Sequence, residues 1–199
     1  THLGAGFKLA LRDLEIRGAG NILGSEQSGH IAAVGFELYC ELLREAVRRL
    51  SHGPSLKPRE IALRLHFISY GLEAVDGRLP AAIPPAYVGS EAVRIECYKR
   101  LTALRSEEEV TAYADELADR FGPVPEETRR LLQLGRLRTL ARRAGIHTLT
   151  VREQTVLPET QDGLLRTAQG RLPRLAAENP EAKLAELVER IRRLAEKRG

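Results

Sequence analysis

The chain has 199 residues but no methionine, no tryptophan and only two cysteines. Cys40 and Cys97 lie far apart in no C-x-x-C spacing, which argues against a zinc site or a disulfide framework. Each reads instead as a small buried hydrophobe. Lysine is scarce too: Lys8, Lys57, Lys99, Lys183 and Lys197 are the only lysines among 31 basic residues, so arginine carries the positive charge. Asn21 and Asn179 are the only asparagines. This bias fits a GC-rich genome and is compatible with a thermophile. No apolar run approaches the ~20 residues of a membrane span, and no signal-peptide pattern opens the chain. The expected location is cytoplasmic, with no membrane partner. A G-x-x-x-x-G-K-[ST] phosphate loop is missing, so the chain is expected to bind no ATP of its own and to hold no catalytic centre. His2, His30, His52, His66 and His147 form no i, i+4 pair, and no metal site is expected. His66 is assigned to the polar face of a strand.

What is present is ordinary for a soluble globular chain: 43% hydrophobic and 29% charged residues. A chain that starts at Thr1 without methionine is expected to be a piece of a longer protein, with the missing part at least on the N-terminal side. The net charge of +4 permits contact with nucleic acid without arguing for it.

Apolar periodicity divides the chain. From Gly35 to Leu50, Phe36, Tyr39, Leu42, Leu43, Ala46, Val47 and Leu50 share one helical face. Gly53 and Pro54 then stop the helix, and the pattern becomes alternating. Ile61, Leu63, Leu65 and Phe67 predict a half-buried strand over 60–68. Pro80, Pro84 and Pro85 make 79–88 extended or irregular. A helix is expected from Ser90, with Val93, Cys97, Leu101 and Leu104 on its stripe. Ser106 and Glu109 form a capping box for a helix with the stripe Val110, Tyr113, Leu117 and Phe121, ended by Gly122-Pro123. Another helix is expected over 125–144, with Pro125 in its first turn and Gly145 at its C-terminal cap. Strand alternation follows at Leu149 and Val151, with Val156 and Leu157 on a partner strand. Residues 159–176 carry no clear pattern. Asn179-Pro180 caps a last helix with the stripe Leu184, Leu187, Val188, Ile191 and Leu194. The expected fold class is α+β: a helical segment over 1–52, then a separate, mostly helical domain with a small sheet over 56–199.

Three stretches carry candidate chemistry. Between Gly6 and Gly29 a helix with Phe7, Leu11 and Leu14 on one stripe breaks at Arg17-Gly18-Ala19-Gly20 and ends in Ser25-Glu26-Gln27-Ser28-Gly29. It can be a glycine-capped helix with a surface turn. It can equally hold an arginine fork and a glutamine at fixed positions relative to each other. The glycines do not match a dinucleotide loop, because the last spacing is one residue too long and no strand precedes it. In the 125–144 helix, Arg129, Arg136 and Arg143 stand seven apart on one face and are candidate DNA contacts. A solvated face or pairing with acidic groups elsewhere is the alternative. Glu116 and Asp119 lie one turn apart in the helix preceding it.

The run Asp13-Leu14-Glu15-Ile16-Arg17-Gly18-Ala19-Gly20, with Glu26-Gln27-Ser28-Gly29 behind it, resembles the translocation motif of RecG-type DNA motors. It is most similar to the bacterial transcription-repair coupling factors. The similarity continues through Gly35-Phe36-Glu37-Leu38-Tyr39, Cys97-Tyr98-Lys99-Arg100 and Asp119-Arg120-Phe121-Gly122-Pro123. The resemblance implies that residues 1–52 are the C-terminal edge of a RecA-like motor lobe, with Asp13, Glu15, Arg17, Gly18, Gly20 and Gln27 coupling ATP hydrolysis to stepping on double-stranded DNA. It implies ATP and Mg2+ as cofactors of the parent protein, bound upstream of Thr1. Residues 56–199 become a regulatory, autoinhibitory domain. Glu116 and Asp119 would clamp it to a UvrB-like N-terminal module and mask the surface that recruits UvrA. The parent would displace stalled RNA polymerase. A nucleic-acid-binding module of a RecG-like fork-remodelling helicase is the alternative, although the long extension after Gly53 speaks against it.

Overall fold

A computed structural model describes residues 61–74 and 76–198. These fall within one compact unit, Pro58–Gly199. The translocation-motif residues, the helix expected over 35–50, Cys40 and the segment 1–52 lie outside the described residues.

Among the described residues ten elements follow in order: β1 (Ala62–Leu65), β2 (Ile68–Ser69), β3 (Leu79–Pro80), α1 (Glu91–Ala103), α2 (Glu107–Phe121), α3 (Glu126–Arg143), β4 (Ile146–Arg152), β5 (Thr155–Thr160), β6 (Gly163–Leu164) and α4 (Pro180–Arg198). The class is α+β, as expected. One sheet has the order β1-β4-β5-β6, with β1 parallel to β4 and the other pairs antiparallel. A parallel pair needs a long crossover, and here the crossover holds β2, β3 and the first three helices. The second sheet is the two-residue parallel pair β2-β3. Pro80 costs this short pair no ladder donor that a longer sheet would need.

Helix α3 is the centre. Leu131, Leu134, Leu137, Leu140 and Ala141 are buried, and the helix packs against α4, α2, α1 and β4. The core face of the sheet supplies Leu63, Leu65, Leu149, Val151 and Val156. Helix α4 adds Leu184, Leu187, Val188 and Ile191, and Asn179 Oδ1 accepts from the Ala182 N–H at 2.8 Å. The approach of α1 to α3 is so close that a Cβ on Gly135 would lie 2.8 Å from Leu101 Cδ1.

Several local expectations need adjusting. The alternation over 60–68 is one buried set, but the strand ends at Leu65 and a turn precedes β2. In α1 the buried positions are Arg94, Cys97 and Leu101. Val93 is half-buried and Leu104 lies past the helix end, while the Arg94 guanidinium turns inward to the carbonyls of Val88 and Gly89 at 2.7 and 2.9 Å. Pro125 is the N-cap of α3 rather than part of its first turn. In α4 the stripe closes on buried Ala195, with Leu194 half-buried. Residues 159–176, patternless in sequence, finish β5, form β6 and return along β5 through an isolated bridge between Thr155 and Arg174.

The α1–α3 contact gives a direct test. Gly135→Leu forces a branched side chain into Leu101 and is expected to destabilise the fold by about 1–3 kcal/mol. Gly89→Ala, whose new Cβ meets nothing within 4 Å, is expected to stay within about 0.5 kcal/mol. Urea unfolding followed by circular dichroism measures both; equal midpoints would refute the close contact.

Candidate docking face on the second helix

Helix α2 is fixed at both ends. The Ser106 hydroxyl accepts from the Glu109 N–H at 3.2 Å, and Glu109 Oε2 accepts from the Arg105 N–H at 2.7 Å. The expected capping box therefore forms, with its return bond one residue earlier than usual. At the other end Gly122 adopts φ 87°, a conformation that favours glycine, and its N–H bonds to Ala118 O at 2.9 Å. The Tyr87 hydroxyl lies 2.9 Å from Leu117 O and 3.1 Å from Gly122 O, and its ring meets Phe121 edge-on at 5.9 Å. Tyr113 donates to Cys97 O at 3.0 Å and is buried. Burial and the Cys97 contact push the Tyr113 phenol far above its ordinary range. Tyr87 thus anchors the C-terminal end of α2, and Tyr113 ties α2 to α1.

Those carboxylates are not equivalent. Glu116 Oε1 accepts from Arg100 at 2.5 Å and from Arg120 at 3.2 Å. The hydrogen bond from Arg100, helped by Arg120, holds the Glu116 carboxyl below the usual carboxylate range. Arg100 also lies over the Tyr113 ring at 4.9 Å, so it ties α1 to α2 by two contacts. Asp119 is exposed one turn further on, and among the described residues it meets no cation within ion-pair distance. Asp115 and Glu108 are exposed on the same ridge. Glu108 is held low chiefly by the Ser106 hydroxyl and its own backbone N–H, with a smaller contribution from the Arg143 charge. The sequence singled out Glu116 with Asp119. The ridge that faces solvent is Glu108, Asp115 and Asp119, a spacing of seven and four that was readable in advance. Arg100, a helix away, was not.

Most arginines of α3 serve the fold. Arg130 bonds Glu126 at 2.7 Å, Glu181 at 2.9 Å and Pro80 O at 3.3 Å. Arg138 reaches Ile61 O at 3.4 Å and Arg142 reaches Leu104 O at 3.3 Å. Of the three candidate DNA contacts, Arg136 is half-buried and donates to Thr111 Oγ1 at 3.1 Å. Arg129 is exposed and donates to Val124 O at 2.9 Å, and Arg143 is exposed. They line one side of α3 without converging on a pocket. Cys97 is buried as a free thiol; His66 is exposed, but it lies in the turn after β1 and not on a strand as expected. Among the described residues no cluster of His, Cys, Asp and Glu could hold a metal ion, and no helix is long and apolar enough to cross a membrane.

An α+β unit with a buried central helix, a one-sided sheet and an acidic outer helix is the class these elements define, and residues 78–165 match the family model of the TRCF domain. A solved structure, "Crystal structure of C-terminal domain of transcription-repair coupling factor", is similar in fold with a TM-score of 0.53, covering 73% of this chain and 100% of that one at 16% identity. The chain is 42% identical over 182 residues to the transcription-repair-coupling factor of Mycobacterium tuberculosis (strain CDC 1551 / Oshkosh), 88% of this chain and 14% of that protein. It is 41% identical over 154 residues to that of Escherichia coli (strain K12), 76% of this chain and 12% of that protein. The chain therefore belongs to the transcription-repair-coupling factor family, and it spans only about a seventh of the length of these relatives.

The Glu116 cluster predicts a pH dependence. A carboxyl whose folded pKa lies below its ordinary 4.5 contributes stability above that value and loses it as pH falls through the lower, folded pKa. Glu116→Gln is expected to lower the thermal midpoint at pH 7 and to leave it unchanged near pH 2, where both chains carry an uncharged group. A constant difference at every pH would contradict the ion pair.

Proposed function

We propose that this chain is the C-terminal part of an ATP-dependent double-stranded DNA translocase that displaces stalled RNA polymerase and recruits nucleotide excision repair. In this reading the motif around Arg17 and Gln27 couples ATP hydrolysis, performed elsewhere in the protein, to stepping on DNA. The domain described here docks intramolecularly on a UvrB-like module and masks the surface that binds UvrA. The observation that carries the proposal is the 42% identity over 182 residues, a length that cannot be accommodated by the TRCF domain match alone. That match, at 78–165, lies in the extension that a RecG-like helicase would lack.

The geometry of α2 refines the docking part. Glu116 already has two guanidiniums, so little of its charge is left for a partner. Asp119, with Asp115 and Glu108, supplies the free negative field, while Glu116 and Arg100 hold α2 in place. Exposed ion pairs contribute only about 0–1 kcal/mol each. An interface of several such pairs holds the domain closed and still releases it to a competing protein.

Two measurements on the full-length protein test the two halves of the proposal. Asp119→Lys with Asp115→Lys is expected to strengthen UvrA binding at least several-fold in a pull-down titration, and unchanged binding would remove the docking role. Arg17→Ala is expected to abolish translocation along duplex DNA while nucleotide binding persists. Unimpaired translocation would remove the coupling role.

A further inference from the structure

The main sheet turns its apolar stripe to the helices. Leu63, Leu65, Leu149, Val151 and Val156 point to the helices, so by the strict alternation of strands Arg64, Thr150, Arg152 and Thr155 point away from them. On that outer face Arg64 of β1 stands opposite Thr150 of β4. Arg152 is two residues along the same strand. Arg152 in turn opposes Thr155 of β5, and Thr155 bridges to Arg174. The three arginines are exposed. With strands about 4.8 Å apart and diagonal neighbours about 7–8 Å apart, their Cα atoms form a patch roughly 10–15 Å across.

The charge state of this patch differs from that of the helical layer. Arg100, Arg120, Arg130, Arg190 and Arg192 each lie in an ion pair with a glutamate. Arg64, Arg152 and Arg174 meet no carboxylate among the described residues; Arg174 has only the amide oxygen of Gln154 at 3.3 Å. Among the described residues of β1, β4 and β5, the acidic one on this face is Glu159, half-buried. Thr155, half-buried between Arg152 and Arg174, adds an uncharged donor suited to a phosphate oxygen, whereas Thr150 is buried. No aromatic side chain lies among them on which an unpaired base could stack, which disfavours single strands.

We infer that the face of the main sheet opposite the described helices, through Arg64, Arg152 and Arg174, binds the phosphate backbone of duplex DNA without reading its sequence. This gives the domain a nucleic-acid contact of its own, separate from the α2 ridge and from the arginine stripe on α3. It rests on the translocase reading only for the choice of duplex as the polyanion.

The test is fluorescence anisotropy of a labelled mixed-sequence duplex with the 199-residue chain, in an Arg17→Ala background so that the translocation motif does not report. A triple variant, Arg64→Ser, Arg152→Ser and Arg174→Ser, is compared with Arg129→Ser plus Arg143→Ser. The triple variant is expected to weaken binding about tenfold or more at low salt. It is also expected to reduce the slope of log affinity against log salt by about 2–3, since each lost phosphate contact removes about 0.9. The α3 variant is expected to lower affinity and slope by far less than the triple variant. Equal binding by the triple variant and its parent overturns the inference, as does loss of binding in the α3 variant alone. Competition by polyglutamate as strong as by unlabelled duplex overturns the choice of DNA. Unchanged far-ultraviolet circular dichroism and thermal midpoint show that the triple variant is folded. None of these results bears on Arg17, so the translocation proposal stands or falls separately.

Discussion

The structure depends on one constraint: α3 carries a dense run of arginines and is nevertheless the helix on which the other elements pack. A guanidinium cannot leave water without acceptors for its N–H groups. Arg130 finds two glutamates and a backbone carbonyl, and Arg138 and Arg142 each reach the carbonyl of a distant segment. Those acceptors come from β3, from the start of α4, from the residue before β1 and from the end of α1. The polar tethers therefore fix the same neighbours that the leucines of α3 hold by burial. Removing a tether would strand a donor, whereas exchanging a leucine would only open a cavity.

This explains which parts of the fold were legible in the sequence. Apolar periodicity located α2 and α4 because their buried positions are leucine, valine and tyrosine at regular spacing, with a polar cap before each. The strand pair β4-β5 was legible for the same reason, while its register, with Val151 opposite Val156, was not. Periodicity could not show that Arg94, Arg130 and Arg138 are inside, because a long side chain can bury its stem and send its head to a carbonyl many residues away. The stripe Arg129, Arg136 and Arg143 is present as spacing, but Arg136 is spent on Thr111. Residues 159–176 gave no pattern because what orders them is a return alongside β5 by backbone bonds, such as Val156 N to Pro173 O and Leu165 N to Pro158 O, which any residue can make.

The candidate docking face was half legible. Asp119 is exposed, while Glu116 beside it is occupied. The difference lies in Arg100, whose position depends on the packing of α1 against α2 and not on anything within α2. A carboxylate pair one turn apart in sequence can hold a structural member and a free charge, and only the neighbouring helix decides which is which.

The two surfaces left after this accounting have opposite sign and lie on different layers. Helix α2 offers free carboxylates, and the outer sheet face offers free guanidiniums. Both are solvent-exposed, so both interactions weaken with salt and neither can hold a partner against a stronger competitor. A domain built in this way suits reversible engagement. Its interior is fixed by buried leucines and by arginines tethered to glutamates and backbone carbonyls, while its contacts with other molecules depend on charges that cost little to release.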